Sequence, residues 1–231
     1  MCQDGAVPPS RSGRSQRRTD ALSRERIVEA AVELLDAAGE SGLTFRVLTE
    51  RLATGPGAIY WHVANRGELL AAATDAVVDA ALAAEPAEPT PQARIRALAS
   101  SLFDTIDAHP WVAAQLSGSS WQAAAPRILE VVGRQVGALG VPEANWFTVT
   151  SVLVQYIFGA ASQEAANSDV LDDRATYLDA VATTWSQLDP DAYPFIRTIA
   201  PQLRDHDDRE EFLAGIDLIL SGITAQYPPA G

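Results

Sequence analysis

The amino-acid sequence predicts an all-α protein, and three observations carry that expectation. From Ser23 onward apolar residues recur at helical spacing, no strand-type alternation runs for more than a few residues, and Gly and Pro cut the chain into helix-length segments. No internal repeat is present. With 231 residues, 47% of them hydrophobic, the chain can bury a sizeable core as one large or two small domains.

Each element has its own signal. Ile27, Ala30, Ala31, Leu34, Leu35 and Ala38 lie on one helical stripe, with Ser23 placed to cap the helix and Gly39 to stop it. Thr44 caps a short second helix with Val47, Leu48, Leu52 and Ala53 facing inward and Arg46, Glu50 and Arg51 outward. Gly55-Pro56-Gly57 interrupts, and Pro56 suits the first turn of a third helix running to about Val63, because its missing N–H has no partner to lose there. A fourth helix follows Asn65, carrying Leu69, Leu70, Ala73, Val77 and Ala80 to about residue 84. The Pro-rich run 85–91 marks the internal boundary, with Thr90-Pro91 as N-cap and first residue of the next helix. Further helices are expected at about 91–108, just after His109-Pro110, at about 124–139, 142–167 and 171–187, in a broken segment from Asp189-Pro190 to Leu203, and at about 207–225.

Charge is distributed unevenly. The net charge is −13, yet residues 1–70 hold nine Arg against nine acids, while residues 71–231 hold eight Arg against twenty-one. Six Arg, among them Arg17 and Arg18, crowd residues 11–26, so residues 1–22 read as a disordered basic arm suited to a polyanion, a plain solvated tail being the competing reading. Cys2 is the only cysteine, which excludes an internal disulfide and a cysteine zinc site. No run of about 18 apolar residues exists and the start lacks an apolar signal region, so the expected location is cytoplasmic, with no membrane contact.

The stretch GPGAIYWH at 55–62 carries the functional signal. Three adjacent large residues point three ways around a helix, so Tyr60, Trp61 and His62 cannot all be core. Two short helices joined by a tight turn and packed on a longer one make a helix-turn-helix, whose second helix can enter a DNA major groove. Ile59 and Val63 then plug the core while Tyr60, Trp61 and His62 project toward phosphates or base edges. Small residues at Gly55, Gly57 and Ala58 let the helix N-terminus approach DNA closely. Half-buried packing is the competing reading for Tyr60 and Trp61.

Residues 43–70, LTFRVLTERLATGPGAIYWHVANRGELL, resemble the DNA-binding domain of the tetracycline-repressor (TetR) family of bacterial regulators. The resemblance implies that Arg46 contacts bases, that Pro56, Gly57 and Ala58 face the groove, and that Tyr60, Trp61, His62 and Arg66 hold phosphates. Thr44, Gly55, Arg17 and Arg18 complete the candidate DNA contacts. Two departures stand out: the family's usual turn glycine is replaced by Ala53, which suggests a turn shifted by a residue or two, and the recognition helix starts without a long polar side chain.

The expected domains are thus the arm, a three-helix DNA-binding domain at 23–70 with the fourth helix as connector, and a helical ligand-binding and dimerisation domain at 90–227. The segments 142–167 and 207–225 are apolar on more than one face, so one face is assigned to the core and the other, with Ile216 and Leu220, to a twin subunit, a simply well-buried core helix being the competing reading. Phe103, His109, Trp111, Trp121, Gln155, Tyr156, Phe158 and Trp185, with Gln163 and Tyr177, are candidate lining of a pocket for a small apolar or aromatic effector, core packing being the competing reading for each. Asp107 and His109 lack a spaced third ligand, so no metal is expected, and no cofactor. No Gly-rich phosphate loop, GxSxG or HExxH occurs, which argues against an enzyme. The sequence therefore predicts a ligand-responsive repressor that binds a palindromic operator in double-stranded DNA as a homodimer. A helical small-molecule-binding or scaffold protein without DNA-binding activity is the alternative.

Overall fold

The computed structural model describes residues 22–83, 88–118, 120–168 and 174–228; the arm with Arg17 and Arg18 lies outside them. Every described element is helical. The chain divides into two compact units, Met1–Leu69 and Leu70–Gly231, and the division falls inside one helix, Arg66–Ala83.

In the first unit α1 spans Arg24–Gly42, with the Ser23 hydroxyl accepting from the Arg26 N–H at 3.3 Å as its cap. Gly39, expected to end this helix, breaks it instead: its φ of +61° kinks the chain, which then winds on to Gly42. Next, α2 (Phe45–Arg51) is capped by the Thr44 hydroxyl, which accepts from the Val47 N–H at 3.2 Å. The third helix, α3, covers only Pro56–Tyr60, shorter than the spacing predicts. Five residues cannot hold a helix in isolation. Burial of Ile59 and Val63 supports it, each contributing about 1.5–3 kcal/mol of transfer free energy, in a core shared with Ile27, Leu35, Leu43, Leu48 and Leu69.

The turn between α2 and α3 lies at Ala53 and is not shifted. Ala53 adopts φ +48°, the left-handed conformation that a glycine would take without strain, and its side chain is exposed instead of facing inward. The start of α4 (Arg66–Ala83) is fixed by Asn65, whose Oδ1 accepts from the Glu68 N–H at 2.9 Å, while the Glu68 carboxylate accepts from the Ala64 N–H at 2.8 Å.

The second unit holds the rest of α4 and seven further helices among the described residues: α5 (Pro91–Ala108), α6 (Trp111–Leu116), α7 (Trp121–Ala138), α8 (Trp146–Ser168), α9 (Arg174–Ser186), α10 (Pro194–Ile199) and α11 (Asp208–Gln226). Caps at Thr90 and Asp207 set the starts of α5 and α11, through the Ala93 and Glu210 N–H groups at 3.2 and 2.7 Å. Helix α5 packs on α7, α8 and α11, and its Ile95, Leu98, Leu102 and Ile106 are buried there with Ile128, Leu153, Ile157 and Phe212. Arg127 on α7 clasps α4, pairing with Asp75 at 2.6 Å and Asp79 at 2.9 Å. Ile216 and Leu220, assigned from sequence to a twin subunit, are buried in the chain's own core; the outward residue of α11 is Leu218, 75% exposed. No described helix is long and apolar enough to cross a membrane.

Candidate nucleic-acid interface and cavity

Helix α3 presents most of its residues to solvent. Gly55, the N-cap, and Pro56 and Gly57 are exposed, Ala58 is half-buried, and Ile59 alone is fully buried. A Cβ added at Gly55 or Gly57 would meet nothing within 4 Å, so the N-terminal end of the helix is open to a close-approaching partner. Tyr60 stacks on Phe45 of α2 (centroids 4.7 Å apart, planes 11° apart) yet stays 52% exposed, and Trp61 is 90% exposed. His62 is half-buried. Stacking on Phe45 costs Tyr60 some freedom but leaves about half of the residue in water. For Trp61 the protein supplies no such cover, and a fully solvated indole is a poor use of the largest apolar side chain.

Arg46 is exposed on α2 and, among the described residues, pairs with Glu50 at 3.9 Å. Thr44 is exposed beyond its capping bond. Arg66 is more engaged: its Nε donates to the Leu43 carbonyl at 3.2 Å, its Nη2 to the Glu40 carbonyl at 2.5 Å, and it pairs with the Glu40 carboxylate at 3.5 Å. A positive charge at the N-terminus of α4 opposes that helix's dipole, and the carbonyls at the end of α1 supply the compensation. Glu68 is held below the usual carboxylate range by the Ala64 N–H and the Arg24 guanidinium, which donates to it at 3.3 Å.

In the second unit a cavity of about 490 Å³ lies among α5, α8 and α11. It brings together Phe103, Gln155, Tyr156 and Gln163 of the sequence candidates and leaves the others elsewhere. Trp121 and Phe158 meet each other edge to face at 5.8 Å, Trp111 is buried beside His109 at 6.2 Å, and His109 borders a separate depression between Ala97 and Ala108. Trp185 is half-buried on α9 and Tyr177 exposed there; neither reaches the cavity.

One wall is aromatic. Phe212 stacks on Phe103 at 4.5 Å and lies parallel to Tyr156 at 5.7 Å, and the Tyr156 hydroxyl donates to the Phe212 carbonyl at 3.1 Å. Gly215 makes this possible: a Cβ there would sit 1.8 Å from the Tyr156 oxygen. Burial, and then the Glu211 carboxylate, push the Tyr156 hydroxyl above its ordinary value. The lining also has a polar part that sequence reasoning missed. His206 Nε2 lies 2.9 Å from an Asp208 oxygen and 3.0 Å from a Glu211 oxygen, and Arg174 pairs with Asp208. The available signal was the i, i+3, i+4 spacing of Asp208, Glu211 and Phe212 on one face of α11. Among the described residues no group of three or more His, Cys, Asp and Glu is arranged to hold a metal ion.

Comparison with known proteins agrees with this arrangement. Residues 27–73 match the family "Bacterial regulatory proteins, tetR family", and residues 85–227 match "Tetracyclin repressor-like, C-terminal domain". A solved TetR transcriptional regulator from Streptomyces coelicolor is 62% identical, with 90% of this chain and 100% of that one covered and a TM-score of 0.82. An HTH-type transcriptional regulator of Saccharopolyspora erythraea is 32% identical over 147 residues, 62% of this chain and 61% of that protein. The HTH-type transcriptional repressor DrrR1 of Streptomyces coeruleorubidus is 25% identical over 213 residues, 87% of this chain and 77% of that protein. The two family matches together span both units, and the chain belongs to the TetR family of transcriptional regulators.

Proposed function

We propose that this regulator is a cytoplasmic repressor that binds a palindromic operator as a homodimer and leaves it when a small aromatic ligand fills the cavity of the second unit. The observation that carries the reading is the division of labour in and just after α3, where Ile59 and Val63 alone are buried and Tyr60, Trp61 and the glycine-flanked N-terminus are turned to solvent. Arg46 then serves base edges, and Tyr60, Trp61, His62 and the remaining donors of Arg66 serve phosphates, with Arg17 and Arg18 adding charge from the arm. The name of DrrR1 as a repressor favours repression.

Dimerisation is assigned to the outer faces of α8 and α11. Phe147 is 77% exposed, Val152 on the same helix is also exposed, and both lie toward the end of α8 away from the cavity, as Leu218 does on α11. Large apolar side chains in water at this density favour a twin surface, and a two-fold dimer sets two recognition helices ~34 Å apart for successive major grooves. Linkage then requires a ligand that lowers DNA affinity to bind the DNA-bound form less tightly by the same factor. The test is a gel shift with DNA flanking the protein's own gene. A retarded, salt-sensitive complex supports the reading, and no shift at micromolar protein in low salt refutes it.

A further inference from the structure

The chemistry of the cavity differs between its sides. Phe212 is buried with Phe103 and Tyr156 stacked on it, so the half-buried Tyr156 offers the ring surface that a flat apolar body can meet. Beside it, the charged lining consists of Glu164, Asp208 and Glu211 with His206. Even with the Arg174 guanidinium counted at Asp208, carboxylates outnumber guanidinium groups three to one. An adjoining depression shares Phe103, Glu164, His206 and Asp208 and adds Asp104, Asp107 and Asp207 against Arg174 and Arg209, the latter paired with Asp104. Burial first, and the Glu211 carboxylate second, raise the Tyr156 hydroxyl above its ordinary value. The amides of Gln155, Gln163 and Asn167 complete the lining with groups that donate or accept.

We propose that the effector of this cavity is an organic cation, a protonated amine or quaternary ammonium carried on an aromatic body, with the rings against Tyr156 and the charge toward Glu164 and Glu211. The proposal rests on the effector role given to the cavity above. A carboxylate-bearing ligand would bring like charge into this lining, whereas a cation is attracted by its excess of carboxylates. The aromatic wall adds its own preference, since ring faces attract ammonium groups.

The experiment compares three probes of one shape, naphthylmethylamine, naphthylmethanol and naphthoate, by calorimetry on the full chain. The amine is expected to bind about tenfold more tightly than the alcohol, with the carboxylate weakest. Glu211 and Glu164 are partly solvated, so Glu211→Gln and Glu164→Gln should each weaken the amine by about three- to tenfold and leave the alcohol unchanged. Equal binding of the three probes, binding of none, or an amine affinity indifferent to both variants overturns the assignment. A parallel gel shift separates this outcome from the regulatory reading. An amine that binds by this pattern but leaves DNA bound refutes only the release, and DNA release by naphthoate without amine preference refutes only the cation.

Discussion

Replacing Ala53 by Gly should stabilise the DNA-binding unit. Ala53 holds φ +48°, where an L-residue with a Cβ is strained by about 1–2 kcal/mol. It is exposed, so the lost methyl group forfeits little burial. Against the relief stands the extra backbone freedom of glycine in the unfolded chain, about 0.4–1 kcal/mol. The net expectation is a gain of about 0.5–1 kcal/mol, a factor of about two to five in the opening equilibrium. Amide hydrogen exchange read by mass spectrometry suits the question because it follows each unit separately: peptides spanning residues 43–63 should exchange more slowly in Ala53→Gly, and those of α5, α8 and α11 should not change. Gly39→Ala supplies the opposite sign, since Gly39 sits at φ +61° with nothing within 4 Å of an added Cβ; strain alone should quicken exchange in α1. Faster exchange over residues 43–63 in Ala53→Gly would refute the left-handed turn and restore the shifted one that the sequence suggests.

Gly215→Ala drives a methyl group to within 1.8 Å of the Tyr156 oxygen, so the phenol must swing away, losing a hydrogen bond of about 1 kcal/mol and a ring contact of about 0.5–1.5 kcal/mol; an unchanged urea midpoint would refute the close approach. Arg66→Ala should weaken DNA binding evenly across sequences and lower the salt slope by about one, whereas lost stability with an unchanged slope would make Arg66 only a clasp between α4 and the end of α1. Phe147→Glu with Leu218→Glu should yield a folded monomer by sedimentation, because both side chains are exposed within the chain, and a persisting dimer would remove α8 and α11 from the interface. The depressed Glu68 carboxyl contributes stability that is present above its ordinary value of 4.5 and lost as pH falls toward its lower folded value; Glu68→Gln should flatten that acid limb, and an unaltered limb would show that the bonds to Ala64 and Arg24 do not matter there.

The sequence revealed helices well where a single apolar stripe or a cap announced them: Ser23, Thr44 and Thr90 all stand where helix starts are capped. It served less well where apolar residues surround a helix. On α11 the order Ile216, Leu218, Leu220 does not say which face meets the core, because three hydrophobes two apart spread around the cylinder; only packing against α5 and α8 buries the outer two and leaves Leu218 in water. The left-handed Ala53 was hidden because alanine carries no turn signal, and its conformation is imposed by the two helices it joins. The exposed block Tyr60-Trp61 could be read from sequence because adjacency itself forbids common burial. The acidic side of the cavity could not, since Glu164, His206 and Glu211 converge only when α8 and α11 pack against each other.

If the solvent-facing side of α3 and the residue after it bind DNA, Trp61→Ala must weaken binding without loosening the fold. Trp61 is 90% exposed, so its removal should leave unfolding by urea unchanged. A hydrogen bond from the indole to a charged phosphate is worth about 1.5–3 kcal/mol, so anisotropy titration of DNA flanking the protein's own gene should show affinity falling about tenfold or more. An equally stable variant that binds this DNA within twofold of the parent, with the same salt slope, would contradict the account.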